Sequence, residues 1–184
     1  MRTDSSIPRR RSVRLPLFDY SMPGAYFITI CAKDKKPLFG RMHGIDVWLT
    51  SIGKIVDECW LDIPTHFPQV ELATHIVMPE HMHGIILLRR VQNGDDRAKD
   101  AHRARHAVPL QTENHSREFA LPVARSIPTI VGALKSAVSK RVRLQTGTNI
   151  WQRGYYEHVI RNADDFQKTC EYIRMNPVRR ALRS

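Results

Sequence analysis

The order of strand-like and helix-like segments constrains the fold of this chain more than any other feature of its 184 residues. Short runs rich in β-branched, aromatic and other apolar residues predict four strands, at 25–32, 70–78, 81–88 and 150–160. Apolar residues at helical spacing predict three helices, at 47–63, between Ser126 and Gly147, and from Asn162 to Asn176. The predicted element order is therefore β-α-β-β-α-β-α.

That order is the split βαβ pattern of a ferredoxin-like fold, followed by one additional C-terminal helix. In this topology the first and third strands lie in the middle of an antiparallel sheet, and helices cover one face of the sheet. The third strand, 81–88, agrees with a central position because it is apolar on both faces beyond its start. The sequence therefore predicts an α+β protein with a ferredoxin-like antiparallel sheet and a separate final helix.

Two polar segments are predicted to lie outside this arrangement of sheet and helices. Residues 1–19 are predicted to be a basic flexible arm, and residues 20–184 a single domain. Within that domain, residues 89–126 show no periodicity and carry charges of both signs, which indicates a variable loop. No apolar run approaches the ~18 residues of a membrane span, and the three cysteines are far apart in the sequence. We expect a cytoplasmic protein without a membrane partner.

The formal net charge of +11 is concentrated at the two ends of the chain. Residues 1–14 carry a net charge of +4 and residues 134–184 a net charge of +7, whereas the intervening segment is neutral. Such concentrated charge favours a polyanionic partner, of which nucleic acid is the commonest, although it could serve solubility alone. The candidate nucleic-acid contacts are Arg9, Arg10, Arg11, Lys135, Lys140, Arg141, Arg153, Tyr155, Arg174, Arg179 and Arg180.

Two histidines near the start of the third predicted strand are the first candidates for chemistry. His81 and His83 are two residues apart, so their side chains point to the same face of the sheet. Two neutral imidazoles at that spacing can converge on one divalent cation, and the preceding Glu80 could orient one of them. The alternative is a pair of half-exposed sheet histidines. The ligand spacings of structural zinc sites are absent.

Tyr172 and Asn176 are the second candidates, because an i,i+4 spacing places both on one face of the predicted final helix. An asparagine carbonyl oxygen can bind Mg²⁺ or Mn²⁺. A phenol beside such a cation could attack a phosphate held by it. The alternative is an amphipathic tyrosine of the core and an asparagine that ends the helix before Pro177.

Four sequence segments carry a resemblance to a known family: YFIT in the first strand, MPEHMHGI, WQRGYYEHVIRN, and CEYIRMNPVRRAL. In this order they resemble the REP-associated tyrosine transposases, which are domesticated relatives of the single-tyrosine HUH transposases of insertion sequences. The resemblance extends from about Tyr26 to Leu182, with the polar loop left out. It implies that His81 and His83 bind a divalent metal, Mg²⁺ or Mn²⁺, that Asn176 completes this site, and that Tyr172 is the nucleophile.

The activity implied by the resemblance is metal-dependent cleavage of single-stranded DNA through a 5′-phosphotyrosine intermediate, followed by strand transfer. The implied substrate is hairpin-forming repetitive palindromic DNA, which places the protein at the nucleoid. Related insertion-sequence enzymes form dimers that exchange the tyrosine helix, and the sequence leaves the choice between monomer and homodimer open.

Three other functions fit parts of the same sequence. A non-catalytic module that binds single-stranded nucleic acid is compatible with a ferredoxin-like sheet that carries surface aromatic residues. A replication initiator or relaxase of the HUH class would use the same metal and tyrosine chemistry. A metal-stabilised structural protein would use only the histidines. Convergence of His81, His83 and Tyr172 in the folded chain would favour an enzyme over the binding module.

Overall fold

The computed structural model of the protein describes residues 18–90, 125–147 and 149–182. Most of the predicted arm, including Arg9, Arg10 and Arg11, and most of the predicted loop at 89–126 lie outside these residues. The division into an arm and one domain therefore stays a prediction. Among the described helices, none is both long enough and apolar enough to cross a membrane.

Six strands and five α-helices make up the described part of the chain. The strands are β1 (Gly24–Cys31), β2 (Gly40–His43), β3 (Asp46–Leu49), β4 (Val70–Val77), β5 (His81–Leu88) and β6 (Tyr156–Ile160). The helices are α1 (Ser51–Leu61), α2 (Ile63–His66), α3 (Ile127–Thr146), α4 (Ala163–Arg174) and α5 (Asn176–Ala181).

The main sheet has four strands in the order β4-β5-β1-β6, and every neighbouring pair is antiparallel. The two central strands, β1 and β5, are the first and third of the four predicted strands, so the predicted antiparallel sheet and its central strands are confirmed. β5 is buried over most of its length, which agrees with its apolar residues on both faces.

One face of the sheet packs against α1 and α3 and forms the main core. Trp60 of α1 is fully buried on this face and lies against β5 at Gly84. A Cβ atom at position 84 would lie 2.3 Å from the Trp60 ring, so the contact requires glycine there. Because side chains alternate along a strand, Met82 and Ile86 join this core, while His83 points to the opposite face.

The opposite face of the sheet is covered by α4. Cys170 and Ile173 of this helix are buried against Phe27, Ile85 and Ile160, which form a smaller apolar cluster. As predicted, Asn162 caps the helix, and its side-chain oxygen accepts a hydrogen bond from the Asp165 amide at 2.9 Å. The helix therefore crosses the same sheet face that carries the two histidines.

A hairpin of β2 and β3 occupies the region that was predicted to be irregular and then helical from residue 47. Gly44 has a φ of +60°, which suits the tight turn between the two strands. Trp48 lies on β3, is 63% exposed and stacks on His43, so its helical spacing relative to Ile52 is coincidental. Helix α1 begins only at Ser51, after the cap residue Thr50.

Two further boundaries differ from the prediction. β6 begins at Tyr156 instead of at residue 150, and Trp151 before it forms a single bridge with Ala32. Helix α4 ends at Arg174, and Asn176 begins the new helix α5, in which Pro177 occupies the first turn. The prediction that one helix carries both Tyr172 and Asn176 was therefore wrong. Proline lacks an amide hydrogen and interrupts a helix, but its fixed φ suits the first turn of the next one.

Candidate active site

The two histidines of β5 lie side by side on the sheet face that α4 covers. Their ring centroids are 4.4 Å apart. The His81 side chain is 17% exposed, whereas His83 is 4% exposed and therefore buried. The strand alternation thus places both imidazoles at one point, as the sequence predicted.

Asn176 reaches these imidazoles from the start of α5. Its Nδ2 atom donates a hydrogen bond to Nε2 of His83 across 3.2 Å, and the amide also lies within hydrogen-bonding reach of His81. Met175 separates α4 from α5, and Pro177 in the first turn of α5 is buried. The residue that was expected beside Tyr172 on one helix therefore meets the histidines from a second helix.

Tyr172 lies at the C-terminal end of α4, next to the same imidazole. Its ring centroid is 5.3 Å from that of His83 and 5.9 Å from that of Phe27, and both contacts are edge-to-face. The residue is 38% exposed, so the site is open to solvent on this side. The Arg179 guanidinium lies 5.6 Å from the centre of the tyrosine ring.

Thr29 of β1 determines the orientation of His83. The two residues are cross-strand partners, and Thr29 Oγ1 lies 2.8 Å from His83 Nδ1. Because the Asn176 amide donates to Nε2, the consistent tautomer carries its proton on Nδ1 and donates it to the threonine hydroxyl. Sequence reasoning did not identify this role. The signal was available in the YFIT segment, since the predicted pairing of two central strands places a β1 hydroxyl beside a β5 histidine.

Glu80 and Arg180 orient the other imidazole. Glu80 Oε1 lies 3.4 Å from His81 Nδ1 and also forms an ion pair with the Arg180 guanidinium of α5. The Glu80 side chain is 16% exposed and that of Arg180 is 40% exposed, so the carboxylate is largely shielded from water while the guanidinium reaches solvent. The ion pair ties the turn before β5 to the helix that carries Asn176.

Burial keeps both imidazoles neutral at physiological pH. Burial, with a smaller contribution from His81, lowers the pKa of His83 to about 3. Burial also lowers the pKa of His81, although the neighbouring Glu80 carboxylate acts in the opposite direction. Neutral imidazoles have free lone pairs, so these side chains are in the state that binds metal ions.

The donor set of two imidazoles and one amide fits a single divalent cation. The described residues contain no cluster of three or more His, Cys, Asp or Glu side chains that could hold a metal ion. Rotation of the Asn176 amide by half a turn replaces Nδ2 with the carbonyl oxygen, which gives two nitrogen ligands and one oxygen ligand. Mixed ligands of this kind are compatible with Mn²⁺, and with Mg²⁺ if water completes the shell.

A cleft of about 650 Å³ opens over these side chains. Three cations line it in addition to the histidines, Tyr172 and Asn176; they are Lys35, Arg179 and Arg180. The predicted contact residues Arg179 and Arg180 are therefore part of the site. A cationic cleft with a tyrosine and two neutral imidazoles can hold a phosphodiester and present a hydroxyl to it.

Among the described residues, none of the other predicted nucleic-acid contacts lines this cleft. Lys135, Lys140 and Arg153 line a second basic cleft of about 730 Å³, together with Arg143. The Lys135 ammonium donates to the carbonyl oxygens of Gln152 and Gly154 at 2.8 and 2.9 Å, which attaches α3 to the segment before β6.

The remaining predicted contacts differ in their surroundings. Arg141 forms an ion pair with Glu58 of α1, and Arg174 is exposed at the end of α4. Tyr155 is half-buried against the main core, whereas its neighbour Tyr156 is 48% exposed on the face of the candidate site. Side chains alternate along a strand, so only one of these two tyrosines can face the site.

The chain is similar to known sequences over most of its length. It is 36% identical over 179 residues to an uncharacterized protein of Haemophilus influenzae, covering 95% of this chain and 92% of that protein. It is 23% identical over 161 residues to another H. influenzae protein, described as a candidate REP-associated tyrosine transposase; this match covers 88% of the chain and 74% of that protein. No protein-family model matches the chain.

A solved structure shares the fold. It is a REP-associated tyrosine transposase bound to a REP hairpin, and it matches with a TM-score of 0.55 at 20% sequence identity. The match covers 93% of this chain and 74% of that chain. At this level of identity the match shows a common arrangement of sheet and helices.

Proposed function

This chain belongs to one family with the Haemophilus influenzae protein that is 36% identical to it, and we propose that it is a transposase that cuts and rejoins single-stranded DNA. Its resemblance to the REP-associated tyrosine transposases, which the sequence motifs indicated, is confirmed by the comparisons of sequence and fold. The proposed reaction depends on a divalent metal and proceeds through a 5′-phosphotyrosine intermediate.

The observation that carries this proposal is the convergence of four side chains in one cationic cleft. His81, His83, Asn176 and Tyr172 come from β5, α5 and α4, yet all line the same cavity. A module that only binds nucleic acid has no need to bring a tyrosine against a pair of buried, neutral imidazoles. The convergence therefore favours the enzyme over the binding module.

In the proposed mechanism His81, His83 and Asn176 would hold the divalent cation. A cation at this position would supply positive charge next to the phosphate oxygens and so stabilise the transition state. Thr29 and Glu80 keep the imidazoles in the tautomer and direction that binding requires. Mg²⁺ and Mn²⁺ are the proposed cofactors.

The Tyr172 hydroxyl is the proposed nucleophile. Its oxygen forms a bond to phosphorus, the bond from phosphorus to the 3′ oxygen breaks, and the leaving 3′ oxygen takes up a proton. The phenol loses its own proton in this step. Arg179 lies beside the ring and the cleft, where it can pair with the phosphate. The phosphotyrosine bond conserves the phosphodiester energy, so attack by another 3′-hydroxyl completes strand transfer without ATP.

The proposed DNA is single-stranded with a hairpin, like the REP hairpin bound to the solved structure that shares the fold. The second basic cleft, with Lys135, Lys140 and Arg153, offers cations for a backbone outside the active site. Arg141, Arg174 and the N-terminal arm are further proposed contacts. A position at the nucleoid in the cytoplasm follows from a chromosomal substrate and is part of this proposal.

The finer fold assignment belongs to the same proposal. The strand order β4-β5-β1-β6, with two antiparallel central strands, supports a ferredoxin-like split βαβ sheet. Helices α1 and α3 lie on one face of that sheet, and α4 on the other is the proposed tyrosine helix.

A covalent adduct assay tests this function. The protein is incubated with labelled, hairpin-bearing single-stranded DNA and Mn²⁺, and adducts are separated on denaturing gels. We expect an adduct with the wild-type protein, none with Tyr172→Phe and none with excess chelator. Tyr156→Phe is the matched control, because it removes the hydroxyl of another exposed tyrosine near the site. An adduct that persists in Tyr172→Phe and disappears in Tyr156→Phe would refute the assignment of the nucleophile.

A further inference from the structure

A second pocket, of about 590 Å³, adjoins the catalytic cleft and has no part in the cleavage chemistry described above. It shares Thr29, His83 and Tyr172 with that cleft and extends from them toward the edge strand β6. Any DNA whose phosphate lies against Tyr172 must therefore place a neighbouring nucleotide at or near this opening.

The floor of the pocket is aromatic. Phe27 is buried at its centre, and the exposed rings of Tyr156 and Tyr172 contact it edge-to-face, with centroid distances of 6.4 and 5.9 Å. Exposed aromatic rings of this kind stack on nucleobases in proteins that bind single strands. The pocket thus places an aromatic surface large enough for one nucleobase next to the proposed nucleophile.

The spacing of the strands places Tyr156 within one nucleotide's reach of the candidate metal ligands. Tyr156 pairs with Thr29 on β1, and Thr29 pairs with His83 on β5, so the three residues form one row across the sheet. Two strand spacings separate the ends of this row, which is about 10 Å between Cα atoms. A phosphate at the histidines and a base on Tyr156 can therefore belong to neighbouring nucleotides of one DNA strand.

The wall of the pocket that α4 forms is polar. Lys168 lies one helical turn before Tyr172 and is exposed along the same edge. His158 and Asp165 pair at 2.9 Å on the β6 side of the pocket. The aromatic floor and the lysine can therefore contact two of the three parts of a nucleotide, its base and its phosphate.

We propose that this pocket binds one unpaired nucleobase next to the scissile phosphate, stacked on the ring of Tyr156, with Lys168 contacting the adjoining backbone phosphate. The proposal rests on the proposed function, because it requires the scissile phosphate to lie at Tyr172. A base within a duplex is stacked on both faces and cannot enter. The pocket therefore gives a physical reason for selecting single-stranded DNA at the cleavage position.

Binding measurements in the Tyr172→Phe background test the stacking, because no cleavage interferes there. The probe is a fluorescently labelled hairpin DNA whose cleavage position has been mapped with the wild-type adduct, and an abasic site replaces each flanking nucleotide in turn. We expect the abasic site at one flank to weaken binding roughly 5- to 100-fold, and Tyr156→Ala to weaken binding of the intact probe by a similar factor. In the Tyr156→Ala protein the same abasic site should cause no additional loss.

Two comparisons separate a loss of stacking from damage to the fold: the Tyr156→Phe variant, and the combination of Tyr156→Ala with the abasic probe. Tyr156→Phe keeps the ring, so it should bind every probe as tightly as its parent. The proposal would be overturned if Tyr156→Ala and the abasic site each weaken binding and the two factors multiply when they are combined. Unchanged affinity in Tyr156→Ala would also overturn it. If the wild-type protein forms the adduct in either case, the cleavage function stands and only the pocket proposal fails. If it forms none, the cleavage function fails and the pocket proposal with it.

The lysine contact has its own readout. The logarithm of affinity falls linearly with the logarithm of salt concentration, and loss of one phosphate contact to a single strand makes this slope less steep by about 0.7. We expect Lys168→Gln to show this smaller slope. Lys54→Gln is the matched control, because Lys54 is exposed on α1, on the other side of the sheet, and should leave the slope unchanged. Equal slopes for both variants would remove Lys168 from the proposed contact.

Discussion

The two faces of β5 show how one strand can carry both the core and the candidate chemistry of this protein. On one face Met82, Gly84 and Ile86 pack against the helix layer, and Trp60 lies so close to Gly84 that no side chain fits between them. On the other face His81 and His83 meet polar groups from three other elements in an open cleft. This difference between the two faces indicates that packing on the apolar face holds β5 in place, while the opposite face of the same strand carries the candidate site. We therefore expect changes on the first face to affect stability and changes on the second to affect activity.

The largest effect is expected on the histidine face. His83→Ala should reduce adduct formation by about three orders of magnitude or more, because loss of a ligand removes several kcal/mol of transition-state stabilisation. The free energy of unfolding should fall by about 1–3 kcal/mol, because the buried ring and its hydrogen bonds to Thr29 and Asn176 are lost. Adduct yield and urea unfolding measure the two quantities. His66→Ala is the control, because that histidine is exposed on α2 and lies outside the cleft.

The same variant shows whether the site is complete within one chain. All four proposed functional residues line one cleft of a single chain, and Tyr172 lies beside His83 of its own chain. A mixture of His83→Ala and Tyr172→Phe proteins should therefore remain inactive. Recovered activity in the mixture would show that the tyrosine helix is exchanged between subunits.

On the core face, Gly84→Ala should lower the free energy of unfolding by about 3 kcal/mol. The added methyl group would lie 2.3 Å from the Trp60 ring, and inserting extra atoms into a packed core destabilises a protein by about 1–3 kcal/mol. Urea unfolding provides the measurement. Gly132→Ala is the matched control, because a Cβ there meets no atom within 4 Å and alanine favours the α3 helix by roughly 0.5–1 kcal/mol. If both variants lose the same stability, the tight contact is not the cause.

Thr29→Val should have an intermediate effect that is confined to metal binding. Valine keeps the shape of the side chain but cannot accept the hydrogen bond from His83 Nδ1. Loss of such a supporting partner lowers metal affinity by about 10- to 100-fold. Titration with Mn²⁺ followed by electron paramagnetic resonance measures this directly, without reference to activity. Thr29→Ser, which restores the hydroxyl, should recover most of the affinity; equal affinities of the valine and serine variants would contradict the role of Thr29.

Near neutral pH, the smallest effect is the dependence of stability on pH. The pKa of His83 is about 3 in the folded chain, below the ~6.5 of an unfolded histidine, so between these values the unfolded chain binds more protons. Stability should therefore fall as the pH decreases below 6.5, by up to about 1.4 kcal/mol per pH unit from this group. Urea unfolding at several pH values should show a smaller slope for His83→Gln than for the wild-type protein. Identical slopes would mean that burial of His83 does not govern this dependence.

Much of the fold followed from local patterns in the sequence. The order of strands and helices predicted the antiparallel sheet and its central strands, because apolar periodicity reports which face of an element is buried. The end of α3 at Gly147 and the cap of α4 at Asn162 were also predicted, since capping depends on one or two residues. The β2–β3 hairpin was missed because its strands are four residues long and its exposed Trp48 imitated a helical spacing.

The sequence by itself determined that the two candidate histidines point to the same face of their strand. His81 and His83 share a face because residues alternate along a strand, and this holds whatever packs on that face. Only the tertiary structure decided which groups meet them. Asn176 arrives from α5 after the helix breaks, Thr29 arrives through the pairing of β1 with β5, and Tyr156 takes the position beside the cleft. Contacts between side chains of different elements depend on how the apolar faces of those elements pack together. A local pattern of residues does not specify that packing.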